Sequence, residues 1–453
     1  MSASSLLAQT NFHTLVTNGP AANRLNLVFL AEGYTSNQFN LFLTHATNTA
    51  NILLSNSPFA EYRSHFNVFA IAVASAQSGS DRPVDGITRN TYFNSTYGNG
   101  VTVREELISI PPNWTNGNHS QGQGKVDNLL QTFMPATDLA IMLVNDLNLG
   151  GSDGAGKVAI TSIAPNSLSD IPVHESGHVL ANLGDEYVTP NPGYPDTEEP
   201  NTTRETNRAL IKWNAWITPD TPIPTPPTFD YQEVVGLFEG AHYNATGWYR
   251  PKLNCRMGSL GVPFCEVCRE ALVLSFYRNV RLVDSFSPAN TNLAISSPDL
   301  VQFALTTLQP IGHTLTVQWL TNGIPIATAT NTTLTVSPDS LNNGLNVIAA
   351  QISDPTPFVR TDPQDLLRQT VTWMVNVSLP AMELSAPRWL NSNQFAFRIS
   401  GVAPQGFAIQ TSTNLTDWAS VATNFLVNGQ FDYTNQAGAN PSARLFRAVT
   451  PPR

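Results

Sequence analysis

His174-Glu175-Ser176-Gly177-His178 is the stretch of this chain whose residue types and spacing point most directly to chemistry. On a helix, two histidines at i and i+4 stand on one face about one turn apart, so both imidazoles can meet one metal ion. Glu175 lies beside them, able to reach a metal-bound water without ligating the metal. Two imidazoles and a free carboxylate suit zinc, which needs a third protein ligand. Asp185 and Glu186 follow the second histidine after Gly184. On an unbroken helix Asp185 would lie about 10 Å beyond His178 along the axis. The chain must therefore turn back, and Gly184 can supply the turn. Asp185 is the first choice as third ligand and Glu186 the alternative.

The elements that position these residues are legible around them. Ser169 or Asp170 is expected to cap the helix, with Pro172 in its first turn. Val173, Gly177 and Leu180 form a stripe that can face a core. Apolar runs at Asn26–Leu30, Asn67–Ala74, Asp138–Val144 and Lys157–Ile163 read as strands, and Gln38–Leu54 has helical spacing. A last helix is expected over Phe264–Arg278. Continuous apolar strands alternating with helices imply a sheet covered on both faces. If Lys157–Ile163 is a sheet edge, a substrate can add to it as another strand. The glycine-rich Gly150–Gly156 before it reads as a flap or a plain loop; no GK[ST] closes it as a phosphate loop.

The similarity extends well beyond one motif. Cys255-Arg256-Met257-Gly258 resembles the Met-turn beneath the zinc site of metzincin peptidases, although a lone Met in a turn is commonly core filler. Asn23–Thr35, Pro58–Arg63, Phe66–Val68, His174–Tyr187, Phe238–Ala241, Trp248–Pro251, Cys255–Met257 and Phe264–Cys268 together resemble the blocks of the bacterial IgA-peptidase-like zinc metallopeptidases (metallopeptidase family 64). The resemblance spans residues 20 to 280. One departure is Ala31-Glu32-Gly33, which touches no metal residue. The resemblance implies zinc-dependent peptide hydrolysis on a metzincin-like α/β fold, with one zinc per chain, and nothing about substrate. Tyr187, Tyr249 and Arg250 are candidates for stabilising the transition state. For each, a bracing role is the competing reading.

Three cysteines, Cys255, Cys265 and Cys268, lie in one short stretch. At most one internal disulfide can form among them. A bridge from Cys255 to one of the pair is the preferred reading, leaving one buried thiol. Cys265 and Cys268 also have the spacing of half a zinc ribbon, but no second CxxC exists. His242 is a spare ligand candidate whose plain reading is a surface histidine.

With 453 residues, the chain calls for two or three domains. Residues 285–453 contain no Lys, seven Arg and eight Asp or Glu, which leaves -9 of the total charge of -10 in the first part. Alternating patterns such as Thr314–Trp319 and Thr370–Val375, separated by Asn-Gly turns, read as β structure. The expected division is a catalytic domain over 1–284, an Ig-like β-sandwich over 285–380 and a small β-module over 381–453. Phe407–Trp418 with Arg444–Ala448 resembles a C-terminal β-module of secreted proteins of the Verrucomicrobia and Planctomycetes. A charged content of 12%, where about 25% is usual, fits an extracellular protein. The pI near 5.2 and the lack of a basic run argue against nucleic acid and anionic membrane as partners. No apolar run is long enough for a membrane helix. Met1–Ser5 has no basic or long apolar region and is not a signal peptide, which leaves a cytosolic protein or, the reading preferred on composition, a mature secreted or envelope protein with an added start.

The function expected is therefore a zinc endopeptidase acting on extracellular proteins or peptides. The competing classes are a surface adhesin or glycan-binding protein on a peptidase scaffold, and a zinc amidase acting on a non-peptide amide. An intact Glu175 favours an enzyme. The C-terminal modules are candidates for binding a surface glycan or protein.

Overall fold

The structure is a computed structural model that describes residues 9–98, 106–112, 121–153, 158–403, 405–436 and 443–450. Two compact units emerge. The first takes in the described residues up to Leu282 together with Leu308–Leu315 and Asp354–Leu367.

Its frame is a six-stranded sheet. The strands are β1 (Thr10–Val16), β2 (Leu25–Glu32), β3 (Phe66–Val73), β6 (Leu139–Val144), β7 (Gly151–Asp153) and β8 (Val158–Ser162), in the order β1-β3-β2-β6-β8-β7. A short ribbon of β4 (Thr96–Tyr97) and β5 (Ile108–Ser109) lies between β3 and β6 in the chain. The four central strands run parallel, with Leu27 opposite both Val68 and Leu139; β1 and β7 are antiparallel edges. Every residue of β2, β3, β6 and β8 is buried, as continuous apolar sequence requires of strands covered on both faces. Helix α1 (Phe39–Leu53) buries Phe39, Phe42, Ala46, Ala50 and Leu53, a stripe at helical spacing. Helices α2 (Gly122–Phe133), α3 (Pro165–Ala181) and α4 (Glu266–Asn279) complete the layers, and β9 (Phe238–Ala241) pairs with β10 (Asn244–Arg250) in a hairpin.

Two expectations about local structure need correction. Helix α3 begins at Pro165, not near Ser169, so Pro172 lies inside it and Asp170 is not its cap. Pro165 stands at the first helical position, where a missing N–H costs nothing. Strand β8 is not an edge, because Gly151–Asp153 pairs against it as β7. The outer side of β7 is itself partly taken: Gly151 N–H donates to the Glu106 carbonyl at 3.0 Å, and Leu107 bridges to Gly151. Gly154, Ala155 and Gly156 of the expected flap lie outside the described residues.

The second unit comprises β sheets. A three-stranded sheet (Val283–Ser287, Val301–Thr307 and Thr333–Val336) faces a five-stranded one built on Thr316–Thr321, Gly344–Ser353 and Arg368–Ser378. Phe303 of the first meets Trp319 and Trp373 of the second, with ring centroids 6.3 and 5.0 Å apart. Two further three-stranded sheets occupy 383–449, around a core of Phe397, Ile399, Phe407, Ile409 and Leu426. Alternating burial, as in Arg368–Ser378, is the mark of strands with one solvated face. The chain is thus α/β followed by β modules.

Candidate metal centre

Helix α3 carries His174, Glu175 and His178 along a cleft of about 500 Å³. Gly177 lets this helix lie close to the turn at Cys255–Gly258. A Cβ there would stand 3.0 Å from Met257 Sδ, 3.1 Å from Leu183 Cδ1 and 3.2 Å from Phe264 Cε1. Met257 is fully buried against this helix at Gly177. The same turn orients the ring of His174, whose Nδ1 lies 2.9 Å from the Arg256 carbonyl. His178 Nδ1 lies 2.6 Å from the Leu183 carbonyl. A carbonyl can only accept, so each Nδ1 carries the proton and each Nε2 presents a lone pair. Arg256 is fixed in turn by Asp170, 2.9 Å away.

The chain reverses after α3 at Asn182, whose φ of 51° and ψ of 40° are left-handed. Asn182 N–H closes on the His178 carbonyl at 2.9 Å and Leu183 N–H on the Gly177 carbonyl at 3.2 Å. Asparagine is the commonest non-glycine residue for such a stop. Gly184 therefore does not make the turn. It provides space, since a Cβ at Gly184 would stand 2.6 Å from Glu199 Cδ.

Beyond the turn, Asp185 Oδ1 comes within 3.1 Å of His174 Nε2 and 3.4 Å of His178 Nε2, and the two Nε2 atoms are 3.1 Å apart. Four-coordinate geometry at the usual 2.0–2.1 Å bond lengths puts neighbouring donor atoms about 3.3 Å apart. Asp185 Oδ1 receives no hydrogen bond among the described residues. Two ring nitrogens and a carboxylate oxygen converging at this spacing need a proton or a cation between them, and the near-tetrahedral distances fit a metal ion. Burial opposes charge on Asp185, but the adjoining imidazoles outweigh it and hold the carboxyl far below its usual range. For His174, burial opposes protonation; Asp185 and Glu175 outweigh it and raise the imidazole above its ordinary value.

Glu186, the alternative ligand, points away from this cluster. It is fully buried beside the three cysteines, and burial, reinforced by Cys255, pushes its carboxyl well above the ordinary value. The neighbouring side chains thus go to different clusters, Asp185 to the histidines and Glu186 to the cysteines. Backbone contacts hold the segment: Glu186 N–H donates to the Met257 carbonyl at 2.8 Å, and Arg250 donates to the carbonyls of Glu186 and Gly240.

Of the three candidates for transition-state stabilisation, only Tyr187 lines the cleft, with its ring stacked near His174 at 6.0 Å. Arg250 is committed to backbone carbonyls, and Tyr249 exchanges backbone hydrogen bonds with Thr203. Both brace the site from outside. The preferred disulfide is not formed. Cys255, Cys265 and Cys268 are free thiols, and Cys255 Sγ is 3.5 Å from Cys268 Sγ, whereas a bridge needs about 2.05 Å. His242 is neither a ligand nor a surface residue. It is buried, stacked 3.7 Å from Trp248, and held between Glu199 and the Pro195 carbonyl.

Tyr243 is a residue that sequence reasoning missed. It shares with His242 the two-residue turn between β9 and β10, and both have positive φ, 53° and 58°. Such turns match the twist of a hairpin but normally use Asn or Gly. The strained turn docks on the ligand segment, with His242 N–H to the Asp185 carbonyl at 2.9 Å and Tyr243 N–H to the Tyr187 carbonyl at 2.8 Å. The Tyr243 hydroxyl donates to Asp185 Oδ2, leaving Oδ1 toward the histidines. No turn signal in His-Tyr betrays this role.

No helix among the described residues is long and apolar enough to cross a membrane. A search of curated proteins gives no match. Among solved structures, the apo structure of Bacteroides uniformis beta-glucuronidase 3 is 11% identical, with a TM-score of 0.15, over 46% of this chain and 29% of that one. The chicken CNTN1 FN1-FN3 domains are 8% identical, with a TM-score of 0.13, over 36% of this chain and 64% of theirs. Scores this low carry no argument. The profile of the family described as IgA Peptidase M64 matches residues 14–233 and 228–276, which takes in the whole helix-borne cluster, its third carboxylate and the Met257 turn. By that match the chain belongs to the IgA peptidase M64 family, a family of metallopeptidases.

Proposed function

We propose that this peptidase is zinc-dependent and hydrolyses internal peptide bonds of extracellular proteins or peptides, with His174, His178 and Asp185 as zinc ligands and Glu175 as general base. The observation that carries the reading is the convergence of two lone-pair nitrogens and one unpartnered carboxylate oxygen within 3.4 Å of one another at the wall of an open cleft. A bound zinc supplies Lewis acidity, polarising the scissile carbonyl and making water acidic enough to attack at neutral pH.

The chain's own residues do the rest. Glu175 accepts the proton of the attacking water and passes it to the leaving amine. The Arg256 and Leu183 carbonyls hold both imidazoles in the tautomer that presents Nε2. Tyr243 holds Asp185 from behind, and Tyr187, which lines the cleft with its ring beside His174, is the candidate donor to a developing oxyanion. The turn at Met257 plays the part of a Met-turn, packed under Gly177. We read residues 1–284 as the catalytic domain, completed by the inserts Leu308–Leu315 and Asp354–Leu367, and the rest of 285–380 together with 381–453 as β modules that engage a surface glycan or protein outside the cell.

The test is cleavage of a broad peptide library read by mass spectrometry. Wild-type protein should cleave, lose activity on chelation and regain it with zinc. Cleavage that survives chelation would refute zinc dependence. Bound zinc without any cleavage would favour a binding protein on a peptidase scaffold.

A further inference from the structure

A second cluster lies behind the ligand segment. Glu186, Cys255, Cys265 and Cys268 each bring one donor atom within 4.8 Å of the other three, and all four residues are buried. Cys255 Sγ is 3.5 Å from Cys268 Sγ, and Cys268 Sγ is 3.9 Å from Glu186 Oε1. Around a tetrahedral ion with metal–sulfur bonds of about 2.3 Å, sulfur atoms stand about 3.8 Å apart. The observed spacing is close to that value and far from a disulfide. Glu186 Oε2 has no hydrogen-bond partner among the described residues, although Glu186 is only 2% exposed. A carboxyl sealed among three thiols must be either protonated or joined to them by a cation, and the near-tetrahedral spacing of the donors favours the cation.

We propose that Cys255, Cys265, Cys268 and Glu186 form a second metal site, closed and thiolate-rich, that holds a soft divalent ion such as zinc for structure and takes no part in hydrolysis. Four protein donors fill a tetrahedral shell, leaving no position for water or substrate, and soft thiolates select zinc over calcium or magnesium. The site gathers three pieces of chain: the start of α4, the turn that carries Met257, and the segment that presents Asp185. Cys255 opens the turn whose carbonyls hold His174 and the Glu186 amide. Asn201 steadies the carboxylate, donating to Glu186 Oε1 at 3.0 Å and to the Gly184 carbonyl at 2.8 Å. An ion here pins the backbone from which two of the cleft's ligands are positioned. Its binding turns thiols into thiolates and releases their protons, so it competes directly with oxidation to a disulfide.

The experiment is metal counting on the full chain, purified without chelator or reductant. Wild type should carry two zinc ions per chain by elemental analysis. His178→Ala should carry one, and Cys265→Ser should also carry one, lost from the other site. Cobalt substitution separates the two spectroscopically: the wild-type protein should show thiolate-to-cobalt charge-transfer absorption, and His178→Ala should keep it. Thiol titration of chelated, denatured, unreduced wild type should find three reactive thiols. A single zinc per wild-type chain that disappears in His178→Ala, absence of thiolate-to-cobalt absorption, or one reactive thiol in place of three would each overturn the proposal. Failure at the cleft alone would instead appear as one zinc in wild type that His178→Ala leaves in place.

Discussion

Asp185 and Glu186 are chain neighbours of like charge, yet the structure gives them opposite surroundings. Asp185 faces two imidazoles at the wall of a cleft, where three donors leave room for a fourth ligand. Glu186 faces three sulfurs with no solvent access, where four donors leave none. An ion in the first setting can bind water and substrate; in the second it can only cross-link the chain. The segment from Gly184 to Tyr187, held by the Met257 turn on one residue and by the β9–β10 hairpin on its neighbours, is what separates the roles.

The largest effect expected from breaking this contrast is at Asp185. Asp185→Ala should strip the cleft ion and lower hydrolysis by more than about 10³-fold, since a bound metal supplies several kcal/mol of transition-state stabilisation. Glu186→Ala should leave the three cleft ligands in place and act through stability. Equal metal loss from the cleft in both variants, measured by elemental analysis, would show that the two carboxylates are not divided as described. Tyr243→Phe comes next. Removing the hydroxyl that steadies Asp185 should weaken metal affinity by about 10–100-fold, read by competition with a chelator; an unchanged affinity would reduce Tyr243 to packing.

A third prediction concerns stability away from either cluster. Tyr62 and Tyr277 both donate to Asp354 Oδ2, at 2.8 and 2.6 Å, in the interior of the first unit. Asp354→Ala leaves two buried hydroxyls without their acceptor, at about 1–3 kcal/mol each, and should lower Tm while metal content stays constant. Truncation after residue 284 removes Asp354 and should destabilise the remainder at least as much. A truncated protein as stable as the full chain would show that Leu308–Leu315 and Asp354–Leu367 are dispensable to the first unit. The smallest effect is expected from Gly177→Ala. Overpacking against Met257 costs about 1–3 kcal/mol, and improved helix propensity returns up to about 1 kcal/mol. A rise in Tm would mean that Met257 yields without cost.

Strong local signals made much of this legible in sequence. The four parallel strands were readable because burial on both faces demands uninterrupted apolar runs, and the histidine pair because a helix fixes its own spacing. The choice of Asp185 over Glu186 required knowing where the helix ends, and there the glycine signal misled: Asn182 makes the left-handed turn. The start of α3 was visible in Pro165, but Ser169 and Asp170 imitate caps. Edge strand β7, Gly151-Ser152-Asp153, lies in a glycine-rich stretch and lacks β propensity, so it reads as a loop. Tyr243 lies more than fifty residues from its carboxylate partner on a hairpin with no turn signature, and contacts of that kind depend on tertiary packing alone. For the cysteines, the count suggested a disulfide; only the position of Glu186 makes a four-donor cluster of them.

The most direct measurement is the paired metal content and turnover of Glu175→Gln. Glu175 lines the cleft but is not one of the three converging donors. The variant should therefore keep the same metal content as wild type, with hydrolysis of a defined peptide reduced by about 10²–10⁴-fold, the usual cost of losing a general base. Wild-type turnover in a Glu175→Gln protein with its metal in place would contradict the assignment of Glu175 as the base.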